Sequence, residues 1–202
     1  MPRHDARHEL LDAAERLFAV HGIPNVSDRR IAEAAANTNH SAVRYYFGGR
    51  AGLLRALLDR HQDALEPERA RLFAESDSLL GDIRALVLPL TTLYAELPIP
   101  SWRARFLDQA QHDPTTAALV REVGAVHAPA AKEIVGSVVD RLAHLDRAVV
   151  EGRATLMVHI VSSACAEIEG RAERSGEQPL WSQVGTFLCD AIAGMLQAPI
   201  TQ

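Results

Sequence analysis

This sequence predicts an all-α protein of about nine helices, and three observations predict it. Apolar residues return every three to four positions along the chain. No stretch sustains the alternation of a half-buried strand. The breaks between apolar stripes carry glycine, proline, serine, asparagine or aspartate, the residues that open and close helices.

Taken in order, Leu10, Ala14, Leu17 and Phe18 share one face of a first helix, which Gly22 of "VHGIPN" closes. Ser27 caps a second helix, with Asp28 at its positive end and Ile31, Ala34 and Ala35 on its apolar side. "ANTN" reads as a turn, and Asn39 as the cap of a third helix from about His40 to Phe47. Past Gly48-Gly49 a fourth helix, "RAGLLRALLDRHQDAL", runs to about Phe73, with Pro67 kinking or interrupting it. "SLLGDIRALVLPLTTLYAEL" gives a fifth with Pro89 inside; "PIP" ends it and Ser101 caps a sixth, "WRARFLDQAQH". Asp113-Pro114 is a cap and first turn for a seventh, broken near Pro129. "LDRAVVEGRATLMVHIVSSACAEIEGRAERS" is one long amphipathic helix, and Pro179 opens the last, "LWSQVGTFLCDAIAGML".

Composition bounds what such a bundle can do. The chain has 202 residues, 48% hydrophobic and 23% charged, ordinary for a globular protein with a sizeable core. No apolar run reaches a membrane span of about 18 residues, and "MPRHDARHELLDAAERLF" is charged throughout, so a cytoplasmic location is expected. Cys165 and Cys189 offer neither metal spacing nor a disulfide framework. The net charge of −5 conceals an asymmetry: residues 1–60 hold nine Arg against seven acids, and the rest twelve basic residues against nineteen acids. All basic residues but Lys132 are arginine, a bias that genome composition alone can produce.

The segment "NTNHSAVRYYFGGR" narrows the function. At 100° per residue, Ala42, Val43, Tyr46 and Phe47 fall on one side of the third helix, and His40, Ser41, Arg44 and Tyr45 on the other. The first set packs and the second hydrogen-bonds. Two short helices joined by a tight turn, the second with such an outward face, describe a helix-turn-helix reader of the DNA major groove. Arg50 adds to this. A cation in the first turn of a helix opposes the helix dipole, whereas a phosphate there would meet both the arginine and free backbone N–H groups.

These residues carry a resemblance. "LLDAAERLFAVHGIPNVSDRRIAEAA…SAVRYYFGGRAGLL" resembles the N-terminal domain of the TetR family of bacterial transcriptional regulators. The marks are Phe-x-x-x-Gly closing helix 1, the "IAEAA" core of helix 2, the Tyr-aromatic-Phe end of helix 3, and the Gly-Arg-x-x-Leu-Leu start of helix 4. The likeness spans about the first 60 residues. It departs in one respect: the turn within "ANTN" is one residue longer than the family's usual "AGVS" and lacks its glycine. The resemblance implies a three-helix helix-turn-helix head with the start of helix 4, residues 4–64, and a larger helical effector-binding and dimerisation domain, residues 65–202. It implies DNA contacts from Ser27, Arg29, Thr38, Asn39, His40, Ser41, Arg44 and Tyr45, with Arg50 where the family usually holds a phosphate-binding lysine. It further implies a homodimer on a palindromic operator, repressing until a small effector changes the head separation.

For the second domain, Tyr94, Trp102, Phe106, His127, Met157 and His159 are the candidates to line a largely apolar effector pocket. Small residues such as Gly152, Ala154, Gly185 and Gly194 crowd the last two helices, as a four-helix dimer interface would need. Catalytic motifs are missing: there is no GxSxG, P-loop, GxGxxG or HExxH. Asp108 and His112 have metal-sharing spacing but no second pair beside them, so no metal, cofactor or catalytic residue is expected. The competing reading is a helical small-molecule-binding or enzymatic bundle with a helix-turn-helix-like start.

Overall fold

Ten α-helices and one 3-10 turn, Ile23–Asn25, build the computed structural model, which describes residues 3–200 with side chains from Ala6. They are α1 (Arg3–His21), α2 (Asp28–Ala34), α3 (Ala42–Phe47), α4 (Arg50–Ala74) and α5 (Leu79–Glu96). Then come α6 (Arg103–His112), α7 (Pro114–His127), α8 (Pro129–Arg141), α9 (Arg147–Ser175) and α10 (Trp181–Gln197). No strand occurs among the described residues, and no helix among them is long and apolar enough to cross a membrane.

Several caps are where the sequence puts them. Ser27 Oγ accepts from Arg30 N at 3.2 Å, and Asp113 Oδ1 from Thr115 N at 2.8 Å and Thr116 N at 3.2 Å. Other boundaries move. The seventh expected helix is two, because Ala128 precedes a proline and is held out of the helical region at φ −129°, ψ 63°; Pro129 then opens α8. α4 and α5 continue through Pro67 and Pro89. The third helix begins at Ala42, so His40 and Ser41 belong to the turn. Ser101 does not cap α6. Its hydroxyl donates to Glu169 Oε1 at 2.9 Å instead.

That last correction exposes a device used three times, in which helix ends are satisfied from another helix. Glu169 of α9, 2% exposed, accepts from Ala104 N at 3.1 Å and Arg105 N at 2.9 Å, two of the orphan donors that open α6. Glu66 of α4 accepts from Ala130 N at 2.7 Å in the first turn of α8. At the other polarity, Arg153 of α9 donates to Leu196 O and Ala198 O, both at 2.6 Å, at the end of α10. The buried Asp82 accepts from the more exposed Arg141, Nε to Oδ2 at 2.8 Å, which ties α8 to α5.

Two hydrophobic cores result. One joins α5, α8, α9 and α10 through Ile83, Val87, Leu142, Cys165, Leu188 and Ile192. Here α10 lies so close to α5 that a Cβ added to Gly185 would come 2.4 Å from Thr91 Oγ1, which only glycine tolerates. The other core is built from Leu10, Leu11, Ala14 and Phe18 of α1, Ile31 of α2, Val43 of α3 and Leu53 and Leu57 of α4. It extends into Phe106, Leu107 and Ala110 of α6 and Val123 of α7. The first four helices therefore pack on α6 and α7 rather than standing apart.

Candidate nucleic-acid interface and ligand cavity

The third helix divides as its spacing predicts. Ala42 and Val43 are buried, Tyr46 and Phe47 pack partly buried on the core, and Arg44 and Tyr45 are exposed. His40 and Ser41 are exposed beside them in the turn, as are Thr38 and Asn39. The Tyr45 ring stands edge-on to Tyr46, with centroids 4.9 Å apart. Among the described residues, no hydrogen bond or ion pair engages the Arg44 guanidinium, which stands at the middle of this face. On α2, the Ser27 hydroxyl is used in the cap, and Arg29 Nε lies 2.8 Å from Glu33 Oε1 on the exposed surface.

The lengthened turn has a definite construction. Ala36 takes the left-handed conformation, φ 51°, so that its N–H reaches Glu33 O at 3.1 Å and Asn37 N reaches Ala32 O at 2.9 Å. This is a Schellman helix end with alanine where glycine is usual. The extra residue is then absorbed by two successive asparagine turns. Asn37 Oδ1 accepts from Asn39 N at 3.0 Å, and Asn39 Oδ1 from Ser41 N at 2.9 Å, which leads into α3. Replacing Ala36 by glycine removes the left-handed strain, offset in part by unfolded-state entropy, and should stabilise the protein by about 0.5–1 kcal/mol. Chemical unfolding checks this; a destabilised variant would mean that the turn is unstrained.

Arg50 is placed differently from the expectation. Its side chain turns inward: Nη1 donates to Val26 O at 2.7 Å and to Asp28 Oδ1 at 3.2 Å, Nη2 donates to Ile23 O, and Cζ lies 4.6 Å above the Phe18 ring. Two carbonyls, a carboxylate and an aromatic face together outweigh the unfavourable helix dipole. Arg50 thus fastens the loop before α2 to the start of α4.

Behind the head, a cavity of about 210 Å³ opens among α4 to α9. Of the six expected lining residues, Tyr94 and Met157 line it. Phe106 is instead in the head's core, stacked on Phe18 at 6.0 Å, and Trp102 packs against that core beneath Arg16. His127 stands at the surface 3.8 Å from Asp59, and the exposed His159 lies beside His112. Their apolar neighbours in sequence suggested a pocket, but the helical phase turns them elsewhere. The cavity's polar residues include His61, Gln62, Arg69 and Gln111 of α4 and α6 and Ser162 of α9, which nothing in their local sequence sets apart from other polar helix positions. Burial first, then the charges of Arg103, Arg69 and Arg60, holds the His61 imidazole well below its ordinary range, so it is neutral.

α6 has two working faces. Ala104, Leu107 and Gln111 border the cavity, while Phe106 and Ala110 belong to the head's core and Arg103 Nε reaches Glu15 of α1 at 3.3 Å. Glu15 also lies 3.2 Å from Arg60 Nη2 of α4, so one carboxylate links three helices.

The Asp108 carboxylate accepts from Ser162 Oγ at 3.2 Å and Ser163 Oγ at 2.9 Å, and His112 Nδ1 faces Asp108 O at 2.8 Å. No group of three or more His, Cys, Asp or Glu residues placed to hold a metal occurs among the described residues. Burial pushes the Cys165 thiol up to about 12 and Cys189 to about 11, so both stay protonated and poorly reactive.

Comparison with known proteins agrees with this geometry. The family model described as "Bacterial regulatory proteins, tetR family" matches residues 10–57, the segment from α1 into α4. No curated protein matches the chain. Among solved structures, a TetR family transcription regulator from Marinobacter aquaeolei VT8 superposes with a TM-score of 0.63 at 17% identity, covering 95% of each chain. The fatty acid degradation regulator FadR from Bacillus halodurans gives 0.63 at 14% identity, covering 96% of this chain and 97% of that one. AmtR from Mycobacterium smegmatis gives 0.62 at 20%, covering 100% and 90%. At these identities the superpositions speak for the fold, and the sequence match speaks for the head. Residues 10–57 thus match the model of the tetR family of bacterial regulatory proteins, and the chain as a whole shares the all-helical fold of the solved structures it superposes on.

Proposed function

We propose that the protein is an operator-binding repressor that works as a homodimer in the cytoplasm and is released by a small molecule held in the cavity behind α6. The observation that carries the DNA reading is the outward face of α3, where the unengaged Arg44 is flanked by Tyr45, His40 and Ser41 on a helix whose inner face is fixed in a core. Such a face fits a major groove, with Arg44 as the residue that reads base edges and Thr38, Asn39, Ser27 and Arg29 as nearby backbone contacts. Arg50 acts in this reading by holding the head's shape rather than as a free cation. Residues 4–64 form the reading unit and 65–202 the effector and dimer unit, though the two share one core.

Dimerisation is supported by an unpartnered stripe. Phe187, 70% exposed, shares a face of α10 with Ala191 and Gly194, and Gly152, Leu156 and His159 share an exposed face of α9. Two copies joined there would present two α3 helices to half-sites about 34–36 Å apart. Release requires an effector that binds the DNA-incompetent arrangement more tightly, and operator must then weaken effector binding by the same factor. α6, gripping the cavity with one face and α1 with the other, is the helix placed to carry that coupling.

The test is selection of bound sequences from a random DNA pool, followed by competition with Arg44→Ala. The variant should keep its fold and lose about 1–3 kcal/mol of preference for the selected palindrome over scrambled DNA. An unchanged ratio would remove Arg44 from base reading, and failure to enrich any sequence would favour a helical bundle that does not read DNA.

A further inference from the structure

The cavity is apolar along most of its wall, yet one end holds buried polar atoms with no partner: His61 Nδ1, Arg69 Nε and Gln111 Oε1. Leaving such groups unsatisfied in a buried wall is costly, and a ligand or water there would recover that cost. His61 is 5% exposed and stacks on Tyr94, so its unpaired nitrogen has nowhere else to turn. The charged groups around this end are paired. Glu66, the carboxylate beside Arg69 at 3.1 Å, also caps α8 through Ala130 N, and Glu15 is shared between Arg60 and Arg103. Arg60 also lies 2.6 Å from Asp12, so three arginines meet three carboxylates, and of the three arginines only Arg69 lines the cavity, its Nε left without an acceptor. The far end is the reverse. A second cavity of about 130 Å³ adjoins through the shared walls Leu86, Val135, Met157 and Val158, and its lining, out to Leu142 and Leu196, is apolar throughout.

We propose that this site takes a small amphipathic carboxylate, its head on Arg69 and His61 and its hydrocarbon chain running into the second cavity. The inference rests on the effector reading above and specifies the ligand class. A neutral acceptor would reach the same atoms but make the weaker hydrogen bond to the unpaired guanidinium nitrogen. A cation would face Arg69 without a partner of its own. The buried guanidinium gives a carboxylate a charge-assisted contact, and the Gln111 amide can turn to donate its NH₂ to the second carboxylate oxygen, or accept through its oxygen from a water bound there.

Calorimetric titration of the full-length protein with decanoate, methyl decanoate and decylammonium, all below their micelle concentrations, decides it. Decanoate should bind about tenfold or more tighter than either isostere. Arg69→Gln should bring decanoate and its ester within about threefold, and Arg69→Lys should restore most of the preference. Equal affinities across the wild-type series overturn the proposal even if Arg69→Gln does not fold, and so does an Arg69→Gln protein that keeps the preference. Operator titration in parallel keeps the readings apart. Lost carboxylate preference with intact operator binding overturns this inference alone, whereas absent operator binding overturns the regulator reading and leaves the ligand series to be judged by itself.

Discussion

Glu169→Ala should destabilise the protein by about 3–5 kcal/mol, the cost of breaking a buried, hydrogen-bonded ion pair from one side. The carboxylate receives two backbone N–H groups at the start of α6, the Ser101 hydroxyl and the Arg105 side chain at 3.4 Å. Alanine leaves all of these donors facing a cavity. Glu169→Gln keeps the shape and part of the hydrogen bonding, so it should cost clearly less. Urea unfolding of the three proteins gives the ordering. A Glu169→Ala cost below about 1 kcal/mol, the range of exposed pairs, would mean that α6 does not depend on this cap.

Phe106→Ala should cost a similar amount, about 3–5 kcal/mol, because Phe106 is 1% exposed and its removal opens a void against Phe18. Phe106→Leu conserves much of the volume and should cost about 1.5 kcal/mol or less. The milder variant is the informative one. If α6 couples cavity to head, Phe106→Leu should bind operator and effector nearly as well as wild type while changing the factor by which each weakens the other. An unaltered coupling factor in Phe106→Leu would place the transmission elsewhere, with α4 the next candidate.

What could be read from the chain beforehand follows from the range of the interactions concerned. The two faces of α3, the Ser27 and Asp113 caps and the long α9 depend on residues within a turn or two of one another, and periodicity exposes them. The partners of Arg50 at Ile23, Val26 and Asp28 lie more than twenty positions away, beyond the reach of a local dipole argument. Glu66, Arg153 and Glu169 look like ordinary surface charges of amphipathic helices; only the packed structure shows that they finish other helices. The cavity was half-legible for the same reason. Tyr94 and Met157 are apolar enough to be nominated, whereas Arg69 and His61 become distinctive only once burial leaves their nitrogens unpaired.

The core that runs from α1 through α6 and α7 bears on how such proteins can be recombined. A reading head that owned its interior could be exchanged between regulators like a plug. Here a cut at residue 64 would strip the cover from Phe106, Leu107, Ala110 and Val123 and leave Phe18 without its stacking partner. A transplant that gives this effector domain a new DNA specificity has to carry the facing side of α6 with it, or confine the exchange to the outward residues of α3. Substitutions on the outward face of α3 leave that seam untouched, whereas a change to Phe18 or Phe106 has to be matched by its partner across it.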